Sequence, residues 1–297
     1  MTDEEPDSEI KKELERLITE KRHPKTVNID ELSTIEILKV INEEDKKVAY
    51  AVEKVLPEVA KAVEEYVRAL RSGGRVFYVG AGTSGRLGVI DAAELIPTFG
   101  MEEGRVQATI AGGPEAMFRP KEGAEDDELV GEEEMVKRGV SEKDFVIGLS
   151  ASGRTPFVIG ALRKARQLGA KTAIISVNPE CKAGKHADIK IIPIVGEEVI
   201  TGSTRMKAGT AEKMLLTMMS TAAMIRLGRV KSNLMVNLLP LSKKLRERAK
   251  RIVMEATGVE YEEATKMLEK TGYDVEKAIE LIKSDRRESS NNIQEMA

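Results

Sequence analysis

Five short runs of β-branched and other apolar residues, spaced so that each pair is separated by a helix-length segment, constrain this chain more than any other feature. They are RVFYVG at 75–80, RVQATI at 105–110, DFVIGLS at 144–150, KTAIISV at 171–177 and IKIIPIV at 189–195. Most of the gaps exceed a hairpin turn, and parallel strands need crossovers of a dozen or more residues. The spacing therefore predicts a doubly wound α/β fold: a five-stranded parallel sheet with helices on both faces. Such sheets hold ligands just beyond the carboxyl ends of their strands, which directs attention to the loops that follow each run.

Three of these segments carry chemistry. After the first run comes GAGTSGRLG at 80–88, where glycines allow close backbone approach and Thr83 and Ser84 sit at the start of a helix. Free amides, hydroxyls and the helix dipole at that position favour a phosphate. The loop has no acidic residue at the tip of the next strand, so a dinucleotide ribose is not provided for. SASGRTP at 150–156 repeats the formula with Ser150, Ser152, Arg154 and Thr155, and TGSTRMKAGT at 201–210 adds Ser203, Thr204, Arg205 and Lys207. Two hydroxyl-rich loops at strand ends of one sheet can converge on a single anion.

Composition narrows the ligand. Lys and Arg number 47 against 50 Asp and Glu, a formal charge of −3, so a polyanion held by bulk charge is excluded and any anion site is local. Aromatics are 3% with no Trp, which disfavours base stacking and aromatic sugar clefts. One cysteine, Cys181, and two histidines, His23 and His186, suggest neither a disulfide nor a metal cluster. Cys181 reads as a bystander and His23 as a surface or capping residue. The most apolar long window, 214–227, falls short of the ~18 residues of a membrane span, and the acidic N-terminus is unlike a secretory signal. The expectation is a cytoplasmic protein with no cofactor, no nucleic acid and no membrane.

Helical segments flank the sheet. A helix could begin near Ser8; Ser33 and Glu36 form a capping box before Ile35, Ile37, Leu38 and Ile41; and a second helix is predicted over 45–72, with Val48, Val52, Val55, Val59, Val63 and Val67 on one face. Three amphipathic pieces close the chain, at 241–256, 260–269 and 274–282, broken at Gly258 and Gly272, with a loose tail from Ser284. Their core is predicted from Ala264, Met267, Leu268, Val275, Ala278, Ile279 and Leu281. The domain division expected is a helical arm over 1–55, a sheet domain over 56–240 and a helical region over 241–297.

VGAGTSGRLGVIDAAE, EGAEDD, SASGRTPFV and VITGSTRMKAGTAEKM together resemble the N-acetylmuramic acid 6-phosphate etherases, of the sugar isomerase (SIS) fold superfamily. The likeness extends to ITEKRHPKTVNIDELST, INEEDKKVAYAV and NLMVN, about residues 17–237, and the tail resembles small ubiquitin-associated-like (UBA-like) three-helix bundles. The resemblance implies cleavage of the ether joining D-lactate to C3 of a 6-phosphorylated amino sugar. In the open-chain sugar, loss of the C2 proton lets lactate leave and water add, so an acid and a base suffice.

It also implies site residues. Glu94 is expected to protonate the departing oxygen and activate water, and Glu125 to handle the C2 proton. The apolar neighbours of Glu94 predict desolvation and a raised pKa. Gly82, Thr83, Ser84, Arg86, Ser150, Ser152, Arg154, Thr155, Ser203 and Lys207 are expected to bind the phosphosugar. The family's members differ from this chain at His23, usually Asn; Ala93, usually Ser; Leu95-Ile96, a Cys-Pro pair; and Asn237, an Asp. A homodimer is expected, because SIS domains usually pair. Two other readings share the phosphate loops: a sugar-phosphate isomerase, and a non-catalytic sugar-phosphate regulator.

Overall fold

The computed structural model describes residues 16–240 and 242–295, with side chains as far as Arg286. The helix expected near Ser8 lies outside the described residues. Among those described there are two compact units, one comprising the chain through Ala92 with Gly104–Ala223, the other Ala93–Glu103 with the chain from Met224.

In the first unit the Ser33 capping box forms: the Ser33 N–H donates to Glu36 Oε2 at 2.9 Å. It opens α1, Thr34–Glu53. The long helix expected over 45–72 is broken, and α2 is a separate helix, Leu56–Arg71. Pro57 supplies the reason, since it has no N–H to donate and its ring clashes with the carbonyl four residues back. The valine face persists across the break, with Val48, Val52, Val59, Val63 and Val67 buried and Val55 half-buried. The predicted apolar face at the start of α1 is only partly covered: Ile37 and Ile41 are half-buried, and Ile35 and Leu38 are exposed.

The sheet comprises β1 Val76–Gly80, β2 Val106–Ile110, β3 Phe145–Leu149, β4 Lys171–Ile175 and β5 Ile189–Ile191, all parallel, in the order β2-β1-β3-β4-β5. Strands β1 and β3 are buried at every residue, as central strands of a sheet covered on both faces must be. β5 is shorter than expected because Pro193 follows closely and cannot donate to a ladder. Helices α3 Gly82–Phe99, α4 Glu128–Lys137, α5 Pro156–Gln167 and α6 Lys207–Arg226 accompany it. One core joins Phe77, Val79, Val146 and Ile174 to Phe157, Ala161, Leu162 and Ala165 of α5. Helices α4 and α5 approach so closely that a Cβ on Gly160 would stand 1.9 Å from Glu128 O, and one on Gly131 2.0 Å from Phe157 O.

The second unit carries α7 Lys243–Thr257, α8 Tyr261–Lys270 and α9 Val275–Glu295. Ser242 Oγ accepts from Leu245 N at 3.2 Å to cap α7, and Gly258 ends it at φ +69°. Ala264, Leu268, Val275, Ala278 and Ile279 are buried as expected, but Ile282 is buried where Leu281 was predicted. Residues beyond Ser284, expected to be loose, continue α9. No described helix is long and apolar enough to cross a membrane.

Candidate active site

The strand order reverses direction at β1. From β1 the chain crosses to β2 on one side, then returns to β3 on the other, so the topological switch point lies between β1 and β3. Gly80 and Leu149 are register partners at the ends of these strands. The two hydroxyl-rich loops therefore leave the sheet side by side, at the position where this topology opens a crevice.

Loop conformation follows from composition. A Cβ on Gly80 would stand 2.7 Å from Gly85 N, so only glycine permits the strand to turn directly into α3. Gly82 opens that helix at φ +51° and is exposed. Thr83 is half-buried in its first turn and Ser84 is buried, where helix amides lack intrahelical partners. In the adjacent loop Ser150 Oγ and Thr155 Oγ1 are 2.8 Å apart, Ser150 and Ser152 Oγ are 3.4 Å apart, and the Arg154 amide donates to Ser152 Oγ at 3.2 Å. Thr155 then leads into α5, with Pro156 in its first turn. The result is a cluster of hydroxyls between two helix N-termini, which suits an anionic oxygen group.

Glu125 is exposed, and its segment is fixed by the backbone, since Phe157 N of α5 donates to Glu125 O at 3.0 Å. Gly82, Arg86 and Glu125 line one cavity of about 280 Å³ together with Ala111, Lys121 and Gly123. Arg86 Nε donates to Met117 O at 3.1 Å. Thus one expected carboxylate, one cation and the first phosphate loop share a cavity.

Glu94 departs from expectation. Ala92 and Leu95 are buried, but Ala93 and Glu94 face solvent, so the desolvation inferred from the apolar neighbours is absent. Ten residues separate it from Ser84 in sequence, and it is not among the residues that line the cavity of Glu125.

Lys207 also differs. It is turned into the core, where its Nζ lies 2.9 Å from Glu44 Oε2. His23, expected as a surface or capping residue, is buried; its Nε2 lies 3.2 Å from Glu44 Oε1, an oxygen that Lys47 also holds, and its Nδ1 accepts from Lys25 N at 3.2 Å. Burial raises the Glu44 pKa, but hydrogen bonds from Lys47 and Lys207, with the charges of Lys207 and His23, bring it down to about 2. Glu198 accepts the Lys207 and Ala208 amides at 2.9 and 2.8 Å, capping α6. Ser203 is half-buried, and its turn is bound to the N-terminal segment through Gly202 N and Thr19 O at 2.9 Å. Cys181 is half-buried, and burial pushes its thiol pKa up, consistent with an inert residue.

One residue was missed by the sequence reading. Glu212 of α6 is buried, and its Oε1 lies within hydrogen-bond distance, 2.9 Å, of Ser84 Oγ. Thr83 and Gly209 lie together at the starts of α3 and α6; a Cβ on Gly209 would meet Thr83 Cγ2 at 3.4 Å. The signal available was the apolar environment of α6, where an acidic residue at 212 falls on the same face as Ala208, Leu215 and Met219, all buried.

Two family models agree with this architecture. A family model described as the glucokinase regulatory protein N-terminal SIS domain matches residues 58–166, and one described as the SIS domain matches 127–227. Among solved structures, a phosphoheptose isomerase from Francisella tularensis is 14% identical, with a TM-score of 0.49, covering 65% of this chain and 98% of that one. Among curated proteins, the N-acetylmuramic acid 6-phosphate etherase of Clostridium beijerinckii is 54% identical over 91% of this chain and 89% of its own length. Those of Caldanaerobacter subterraneus and Serratia proteamaculans are 52% and 50% identical, over 96% and 94% of this chain and 93% and 95% of theirs. With likeness of that degree over nine-tenths or more of the chain, the chain belongs to the N-acetylmuramic acid 6-phosphate etherase family.

Proposed function

We propose that this chain cleaves the C3 lactyl ether of N-acetylmuramic acid 6-phosphate, giving N-acetylglucosamine 6-phosphate and D-lactate. The observation that carries the reading is the pairing of β1 with β3, which sets two hydroxyl-rich loops side by side at the switch point in a chain of this family. In this reading the 6-phosphate is held by the α3 amides with Gly82, Thr83 and Ser84, and by Ser150, Ser152 and Thr155. Arg86 and Arg154 supply charge. Removal of the C2 proton forms the C2–C3 double bond as the C3–O bond breaks, and the lactate oxygen takes a proton. Water then adds its oxygen to C3 and a proton to C2. Glu125, beside Gly82 and Arg86, suits the C2 proton, and Glu94 the departing oxygen and the water.

The working unit in this reading is a homodimer in the cytoplasm, acting on a charged sugar that does not cross membranes. Exposed apolar side chains on several elements, Ile35, Leu38, Tyr50, Ile90 and Phe118, are suited to a second copy. The test is turnover of N-acetylmuramic acid 6-phosphate in deuterated, heavy-oxygen water. Label at C2 and C3 of the product sugar, with none in the lactate ether oxygen, is the expected result. Oxygen label in lactate would mean direct displacement, and turnover of hexose phosphates without lactate would mean an isomerase.

A further inference from the structure

Glu212 presents a problem in hydrogen bonding. It is 1% exposed, Ser84 Oγ lies 2.9 Å from Oε1, and Oε2 has no hydrogen-bond partner. An ionised carboxylate has about four acceptor sites to fill and is costly to bury without them, whereas a neutral acid has one proton to place. The charged groups on neighbouring elements are paired elsewhere or exposed. On α6, Lys207 pairs with Glu44 and Lys213 is exposed; on α3, Arg86 donates to Met117 O. Asp91 of α3 accepts from Tyr78 and Ser220, and Glu198, before α6, accepts two amides. Arg205 in the same loop is exposed. Burial pushes the Glu212 pKa up to about 8, against the opposing pull of the Ser84 hydrogen bond.

The same contact bears on the phosphate. If Glu212 is ionised, the Ser84 hydroxyl hydrogen must point at it, and a negative charge sits beside the expected phosphate. If Glu212 is neutral, its own O–H can donate to Ser84 Oγ, and the Ser84 hydrogen is free. We propose that Glu212 is a positioning residue of the phosphate site, holding Ser84 as a donor to the phosphosugar by acting as a neutral carboxylic acid. The inference rests on the reading that Ser84 touches the phosphate, and it adds a regulation: binding weakens as Glu212 ionises.

The test is calorimetric binding of N-acetylglucosamine 6-phosphate at about pH 7 and about pH 9.5, both above the second phosphate ionisation near 6. For the unaltered chain the affinity should fall about thirtyfold between them, close to tenfold per pH unit once Glu212 is ionised. Glu212→Gln keeps the shape and an N–H donor, so it should bind with little dependence on pH, its fold checked by an unchanged thermal melt. Ser84→Ala should bind more weakly near pH 7 and lose the slope. An equal slope in Glu212→Gln, or a retained slope in Ser84→Ala, overturns the role of Glu212 and leaves the phosphate site standing. No binding by the unaltered chain at either pH overturns both.

Discussion

Lys207 Nζ lies 2.9 Å from Glu44 Oε2, with 1% and 5% of the two side chains exposed. The pair joins residues 163 positions apart and ties α1 to the start of α6. A cation expected to meet substrate is thus spent on the fold. Removing one member of a buried ion pair leaves the other uncompensated and typically costs about 3–5 kcal/mol. Glu44→Gln should lower stability by that order, measured by urea unfolding; a change under ~1 kcal/mol would mean the cluster contributes nothing net.

Acid should unfold the protein partly through the same group. The folded pKa of Glu44 is lowered from 4.5 to about 2, so its contribution is present above pH 4.5 and is lost as pH falls toward 2. The loss amounts to about 3 kcal/mol for a shift of this size. Unfolding free energies across this range should show that loss, and Glu44→Gln should flatten it.

Glu94→Gln should abolish lactate release while changing stability by less than about 0.5 kcal/mol, because the side chain is exposed. Near-normal turnover by the folded variant would remove Glu94 from the mechanism.

Ser150 is 2% exposed and joined to Thr155 at 2.8 Å. Loss of one hydrogen bond to a charged group costs about 1.5–3 kcal/mol. Ser150→Ala should therefore raise KM for the phosphosugar by ten- to hundredfold, with a smaller effect on a sugar lacking the phosphate. Equal effects on both would argue against phosphate contact.

The closeness of α4 and α5 gives a packing test. In Gly160→Ala the new methyl would stand 1.9 Å from Glu128 O, so the helices must separate. Overpacking of this kind typically costs about 1–3 kcal/mol. Because the start of α5 fixes the Glu125 backbone, activity should fall together with the melting temperature; an unchanged melt would show that the crossing yields freely.

The strands and both phosphate loops were legible because they depend on local pattern: apolar runs of strand length and Gly-hydroxyl turns. What the spacing could not give was strand order, and hence that the loops after β1 and β3 leave the sheet side by side, which is set by how crossovers pack. The broken helix was legible at Pro57 but was outweighed by the regular valine spacing. The exposure of Glu94 was also legible, since Ala92 and Leu95 share the buried side at helical spacing and Glu94 does not. The fates of Lys207 and His23 were not, because their partner Glu44 is remote from Lys207 in sequence, although its place four residues before Val48 sets it on the buried valine face.

The break at Lys54–Val55 carries a last consequence. Lys54 is exposed between two helices, whereas the chain before it is joined to the sheet unit by several separate contacts. Ile18 N donates to Asn178 Oδ1 at 2.8 Å, Thr26 Oγ1 to Val199 O at 2.8 Å, and Lys207 holds Glu44. Cutting the backbone there crosses one turn hydrogen bond, from Val55 N to Val52 O at 3.1 Å. The segment that ends at Lys54 is therefore suited to fragment complementation: two separately made pieces that reassociate without a covalent link, with an affinity that Glu44→Gln should weaken.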